Sequence, residues 1–284
     1  MSFNAPPKVS FDVAKAINAR ISTRSFEAKS LSAEDKNALF DFYNSQTNPF
    51  GVDVRVQYIS KEKGTDHVQL GTYGTIKGAK DFLAITVKEQ PFAMEAVGYQ
   101  FENLVLKATD MGLGTVWLAA TFSRKDFEKI MEIAPNDIFP CICPIGYPLD
   151  KRSIMEKFIR TAAGSKKRKA WNEIFFDNDF TNPLSESNSG AYQNALEMLR
   201  LAPNATNAQP WAVVKESNTF HFFNDYKKNI SSDVEKIKHV DLGIALSHFH
   251  QTALQDGLSG TFIIDDISFE IPENMHYVLS YVAE

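Results

Sequence analysis

The chain has 284 residues, 44% of them hydrophobic and 23% charged, an ordinary composition for one large soluble domain or two of common size. A formal net charge of -5 argues against nucleic acid as the main partner, and no stretch nears the roughly 18 apolar residues that a membrane span requires. The opening, MSFNAPPKVSFDV, lacks a charged segment followed by an apolar run, so no secretory signal is expected. The two cysteines, Cys141 and Cys143, sit one residue apart in the apolar run Phe139–Tyr147. On a strand they share a face where a disulfide is strained, and two thiols are too few for a metal site. They read as buried thiols of a cytoplasmic protein.

Ser10 is expected to cap a first helix through Arg20, with Val13, Ala16 and Ile17 on one face. Ser32 and Asp35 have capping-box spacing and open a second helix to about Tyr43. Val52–Tyr58 alternates as a half-buried strand, and Phe82–Val87 reads as a buried one. A long helix, Glu95–Met111, carries an apolar stripe and ends at Gly112. Thr115–Leu118 is a short strand, Ser123 and Asp126 form another capping box, and Pro140–Ile145 closes the segment as a strand.

The same order then recurs. A basic stretch, Ser165–Lys169, precedes a helix around Ala191–Leu201, strands at Trp211–Lys215 and Thr219–Phe223, and a long helix, Val240–Gln255. Strands at Thr261–Ile264 and His276–Tyr281 follow. The helix exits DMGLGTVW (Asp110–Trp117) and QDGLSGTFI (Gln255–Ile263) match, and Gly98 and Gly112 pair with Gly243 and Gly257 at one common offset. A tandem duplication with an α+β or α/β layered fold is expected.

Four segments could carry chemistry. Arg20-Ile-Ser-Thr-Arg-Ser-Phe26 offers two guanidinium forks and hydroxyls suited to a phosphate, although arginines at a helix C-terminus are also favoured by the dipole. Ala202-Pro-Asn-Ala-Thr-Asn-Ala-Gln-Pro-Trp211 sets three carboxamides in a loop between prolines, suited to the edge of a heterocycle or to a plain turn. Gly112-Leu-Gly-Thr-Val-Trp-Leu-Ala-Ala120 is small enough for close backbone approach to a ligand, or simply for packing. Tyr147-Pro-Leu-Asp-Lys151-Arg152 offers two cations or a solvated turn. No catalytic triad, Walker loop or dinucleotide fingerprint is present, and His248 and His250 fall on different helix faces.

Together these segments resemble the nitroreductase family. ARISTRSF resembles its opening Arg-Arg-Ser-x-Arg-x-Phe, LAPNATNAQPW its Ala-Pro-Ser-x-x-Asn-x-Gln-Pro-Trp loop, and GLGTVWLAA and CPIGYP the motifs before its fourth and fifth strands. The resemblance implies a nitroreductase-like three-layer α/β/α fold, with tandem copies over residues 1–160 and 161–284 forming an intramolecular pseudo-dimer. It implies FMN as cofactor, NAD(P)H as electron donor and a small electron-poor acceptor such as a nitroaromatic or quinone. Arg20, Ser22 and Arg24, helped by Lys151 or Arg152, are expected to hold the phosphate end. The loop residues Pro203, Asn204, Ala205, Asn207 and Gln209 would meet the ring or its ribityl chain from the other half. The backbone around Leu118–Ala120 would face the flavin N5, with Trp117, Leu118 and Ala119 at the cofactor. No obligatory acid or base is evident.

The chain departs from the family pattern at Ile21, where the family often has a second arginine, at Asn204 in place of serine, and at Ala119 in place of an acidic residue. The opening motif is well formed only in the first half and the carboxamide loop only in the second. Lys169-Ala-Trp171 and Gln46-Thr-Asn-Pro-Phe-Gly-Val52 stand where their counterparts would be. One surviving flavin site in a monomeric chain is therefore expected. A flavin-binding module without turnover and a flavin-free pseudoenzyme are the rival readings.

Overall fold

The apolar run Phe82–Val87 becomes an inner strand of a four-stranded antiparallel sheet in the computed structural model, which describes residues 3–61, 70–149 and 167–284. That sheet runs β1 (Val54–Ser60), β2 (Asp81–Lys88), β4 (Asp137–Gly146), β3 (Gly114–Thr115). The run is continuous because both faces of the sheet are covered. Leu83, Ile85 and Val87 face the main core, while Phe82 and Ala84 face a second cluster built on Phe122 and Phe127. The same alternation sends Cys141 and Cys143 to the main core and Ile142 to the other side, and both thiols are free and buried.

A second sheet comprises β5 (Phe175–Asp177), β6 (Trp211–Glu216), β7 (Thr219–Asp225), β9 (Met275–Ala283) and β8 (Gly260–Ile263), hydrogen-bonded in that order. Its four antiparallel strands repeat the strand order of the first sheet. The parallel edge strand β5 was not foreseen, because three residues are too few to show a period. Helices cover both faces of the first sheet: α3 (Ala93–Asp110) on the main core and α4 (Arg124–Glu128) on the second cluster. The outer face of the second sheet is covered instead by loop aromatics, with Phe180 and Phe269 against Phe223.

Local chemistry sets the helix ends. Asp12, not Ser10, caps α1 (Val13–Ala19), accepting from the Lys15 N–H at 2.9 Å. Ser32 caps α2 (Ala33–Ser45) as expected, accepting from the Asp35 N–H at 3.0 Å. Gly112 follows α3 with φ +76°, a left-handed stop that favours glycine. The expected strand Thr115–Leu118 shortens to Gly114–Thr115, with Leu118 bridged singly to Ile142. Ser123 makes no side-chain bond to its helix backbone, so that box does not close. A short helix, α5 (Gln193–Arg200), packs on α6 (Ser232–Gln255). The latter begins two turns before the expected Val240, capped by Ser231 and with Asp233 and Glu235 in its first turn. Those turns are polar, so apolar periodicity could not reveal them.

The two long helices α3 and α6 pack together, and this contact positions everything else. A Cβ on Gly98 would lie 2.2 Å from the Val240 carbonyl oxygen, and one on Gly243 would lie 2.2 Å from that of Glu95. Only glycine lets the backbones approach so closely. Around them Glu95 meets His239 at 2.6 Å, Asn103 accepts from Ser247 at 2.8 Å, and Glu102 meets His248 at 3.1 Å. These partners lie 144 to 146 positions apart, so each helix faces its counterpart in register. The N-terminal segment crosses to the second half as well: the Val9 and Val13 N–H groups donate to Gln251 and Gln255 of α6. No described helix is long and apolar enough to cross a membrane.

Candidate functional site

A cavity of about 160 Å³ lies between the halves, against the middle of α6. The residues Arg20–Phe26 reach it because they leave α1 in an extended conformation beside β3. Ser22 bridges to Thr115, and the Thr23 N–H donates to the Thr115 carbonyl at 2.8 Å. Gly114 permits this contact, since a Cβ there would sit 2.7 Å from the Thr23 methyl carbon. Ser22 and Arg24 thereby line the cavity together with Trp117 and Ala119. The opposite wall comes from the second half: Pro203, Asn204 and Ala205, with Val240, Asp241 and Ile244 of α6. Residues singled out at opposite ends of the sequence thus share one space.

The second-half loop holds an unusual backbone. Thr206, Asn207 and Gln209 have φ of 57°, 58° and 48°, a strain of about 1–3 kcal/mol each. Polar bonds offset it. Asn204 Oδ1 accepts from the Gln209 N–H at 2.8 Å, and the Ala205 N–H donates to Asp241 Oδ1 at 2.9 Å. Asn207 and Gln209 turn toward the entry segment of their own half. Asn207 accepts from Arg168 at 3.0 Å and donates to the Lys167 carbonyl at 2.9 Å, while Gln209 accepts from the Lys169 N–H at 2.7 Å. Neither is among the residues that line the cavity, where both were expected against the ring or its ribityl chain.

Two first-half residues also take other partners. Leu118 sends its side chain into the second cluster, and its N–H donates to the Ile142 carbonyl at 2.9 Å. Arg20 is not among the residues that line the cavity, and its Nε lies 3.9 Å from the fully buried Glu102. Glu102 in turn accepts from the Trp117 indole at 2.8 Å and meets His248 at 3.1 Å. This carboxylate ties α1, α3, the Trp117 segment and α6 into one network. Lys151 and Arg152 lie outside the described residues.

Three residues that the sequence reading passed over stand at this seam. Glu102 and Asp241 are acids within buried helical stripes, a placement that itself signals a required partner or a function. Asp241 is 3% exposed, and its Oδ2 has no hydrogen-bond partner. Burial pushes its carboxyl up to about 7, outweighing the Ala205 hydrogen bond and the nearby Lys238 charge. Arg168, in the basic stretch, is held below its ordinary range by burial and by Arg20 and Arg200, so three guanidinium groups gather here.

Beside Gln46–Val52, aromatic rings pack on one another. Phe50 stacks on Phe92 with ring centroids 5.3 Å apart, and Phe3 packs edge-on to both. Phe262 from β8 joins them. A wider groove of about 270 Å³ at the start of α3 and α6 is bordered by Glu89, Glu95 and Glu235, and contains none of the expected residues. Among the described residues, no group of three or more His, Cys, Asp or Glu is placed to hold a metal ion.

Residues 12–253 match the family model described as "Putative TM nitroreductase". The fold is similar to that of a putative nitroreductase from Thermotoga maritima, with a TM-score of 0.59 and 18% identity over 97% of this chain and 95% of that one. A nitroreductase family protein from Clostridium difficile matches at a TM-score of 0.40 and 16% identity, covering 53% of this chain and 92% of its own. A putative nitroreductase in complex with FMN from Desulfovibrio desulfuricans matches at 0.38 and 18%, covering 52% and 96%. No curated protein matches the chain. The matched segment spans most of the sequence and the whole of the cavity, and the chain belongs to the family of putative TM nitroreductases.

Proposed function

We propose that this chain is an FMN-dependent oxidoreductase that passes electrons from NAD(P)H to a small electron-poor acceptor, such as a nitroaromatic or a quinone. One observation carries the reading: the family-like segments of the first half and the loop of the second meet around a single cavity. The residues there suit the cofactor. Arg24 and Ser22 offer a cation and a hydroxyl to a phosphate or ribityl chain, and Val116, Val240 and Ile244 offer apolar surface to a ring. The volume, about 160 Å³, would admit part of the cofactor. Lys151 and Arg152 would add charge at the phosphate end. FMN supplies the electron-transfer chemistry when bound, and the protein contributes position, electrostatics and exclusion of water.

In this reading residues 1–160 and 161–284 are tandem nitroreductase-like units, with α3 and α6 standing in for a subunit interface. The chain would act as a monomer. The second potential site, beside Gln46–Val52, would be closed by the Phe3, Phe50, Phe92 and Phe262 cluster. Asn207 and Gln209 would support the ring-facing loop from behind rather than touch the ring. The test is steady-state oxidation of NADH and of NADPH by FMN-loaded protein with a quinone acceptor. Turnover that requires FMN supports the reading. Tight FMN binding with no turnover on either donor contradicts it and favours a flavin-binding module.

A further inference from the structure

Asp241 has a role that packing does not explain. It stands near the start of the apolar stretch of α6, between Val240 and Leu242, in a helix turn that forms one wall of the cavity. Its two carboxyl oxygens are treated differently. Oδ1 accepts from the Ala205 N–H at 2.9 Å and so fixes the ring-facing loop, whereas the buried Oδ2 meets no protein group. A carboxylate with one oxygen unpaired in such surroundings is costly. A neutral carboxylic acid costs less: its carbonyl oxygen satisfies Ala205, and its O–H becomes a donor in a residue that lines the cavity. Burial favours that form, with the group titrating about 7.

Other charges do not change this assignment. On the same helix Lys238 favours ionisation weakly, and His239 is engaged by Glu95 of α3. From the first half Arg24 and Cys141 border the same cavity. The wall formed by Pro203–Thr206 brings no ionisable group.

We propose that Asp241 is a proton-carrying hydrogen-bond donor to the cofactor, its Oδ2–H bonding a carbonyl oxygen or imine nitrogen of the isoalloxazine ring, so that FMN binding and protonation of Asp241 are coupled. This rests on the reading that FMN occupies this cavity. No covalent step is involved, and the proton comes from solvent.

The coupling has a definite sign. Only protein with Asp241 protonated presents the donor, so affinity is highest at low pH and falls as pH rises. With the carboxyl titrating about 7, the FMN dissociation constant rises roughly 25-fold between pH 6.5 and 8.5, because the competent fraction falls by that factor. The experiment is an FMN titration of the full-length apoprotein across this range, followed by flavin fluorescence, on the wild type and Asp241→Asn. The amide keeps an oxygen for Ala205 and a permanent N–H donor, so the variant should bind FMN tightly with little pH dependence. That also separates Asp241 from the FMN phosphate, which ionises near pH 6 and affects both proteins equally.

A wild-type slope that persists in Asp241→Asn, or no slope in either protein, overturns the proposal while leaving flavin binding intact. Failure of wild type to bind FMN at any pH removes the underlying reading, and this inference with it. Should the variant not fold, wild type alone decides: FMN added in weak buffer at pH 8 should take up close to one proton per flavin bound. No uptake overturns the coupling.

Discussion

Gly98→Ala tests whether close helix approach builds the site. Alanine is the better helix former, and in a helix interior the exchange alone would stabilise by about 1 kcal/mol. The structure opposes that gain. The new methyl would stand 2.2 Å from the Val240 carbonyl oxygen, 2.7 Å from the Ile244 nitrogen and 2.8 Å from the Gly243 Cα. All three are backbone atoms, so no side chain can turn aside, and α3 and α6 must separate by on the order of 1 Å. Overpacking of this kind costs about 3 kcal/mol, the upper part of its usual range, because the obstacle is backbone on a facing helix. The net is about 2 kcal/mol of destabilisation, or a drop of roughly 4–8 °C in melting temperature for a chain of this size. Since Val240, Asp241 and Ile244 line the cavity, FMN affinity should fall with it. Thermal unfolding by circular dichroism and FMN titration read the two effects. A melting temperature that rises, as propensity alone requires, with FMN affinity unchanged would refute the packing argument.

Further outcomes follow from single residues. Arg24→Ala should weaken FMN about 10- to 150-fold, the loss of one charge-assisted contact; an unaltered dissociation constant counts against Arg24 as an FMN contact. Arg20→Ala should instead destabilise the fold by about 3 kcal/mol, because it removes a cation from the buried Glu102. Adding Glu102→Gln should recover most of that loss, and a double variant no more stable than the single one would show that the pair is not coupled. Asp241 makes stability depend on pH: its folded value, about 7, is raised above the ordinary 3.8. Its favourable contribution is therefore complete below about pH 4 and lost as pH rises through 7. Without flavin, Asp241→Asn should be more stable than wild type at pH 8, by about 4 kcal/mol at most, and the advantage should shrink toward pH 5. An advantage that is constant with pH would contradict the assignment.

Much of this architecture is legible in the residues, for identifiable reasons. Phe82–Val87, bounded by Asp81 and Lys88, and Pro140–Ile145 are dense apolar runs, so their strands stand out. Gly112 and Gly257 end helices with φ of +76° and +78°, a punctuation that recurs at a fixed offset and so exposes the repeated order. What escaped depends on partners distant in sequence. The first two turns of α6 are polar and held by the Ser231 cap and by acids in the first turn. Strand β5 exists because β6 pairs with it. In the carboxamide loop, composition shows that Asn207 and Gln209 need partners, but not that Arg168 and Lys169 supply them. Asp241 was hidden for a related reason: its meaning comes from the unpaired Oδ2 and from the cavity, and neither has a local pattern.

The central claim, one flavin site assembled from both halves, is tested most directly by the stoichiometry of FMN binding to purified apoprotein, measured by equilibrium titration alongside light scattering. Saturation near one FMN per chain in a monomeric protein is expected, since the rings of Phe3, Phe50, Phe92 and Phe262 pack on one another beside Gln46–Val52. Saturation near two per chain, or binding only by an obligate dimer that loses flavin on dissociation, would contradict it.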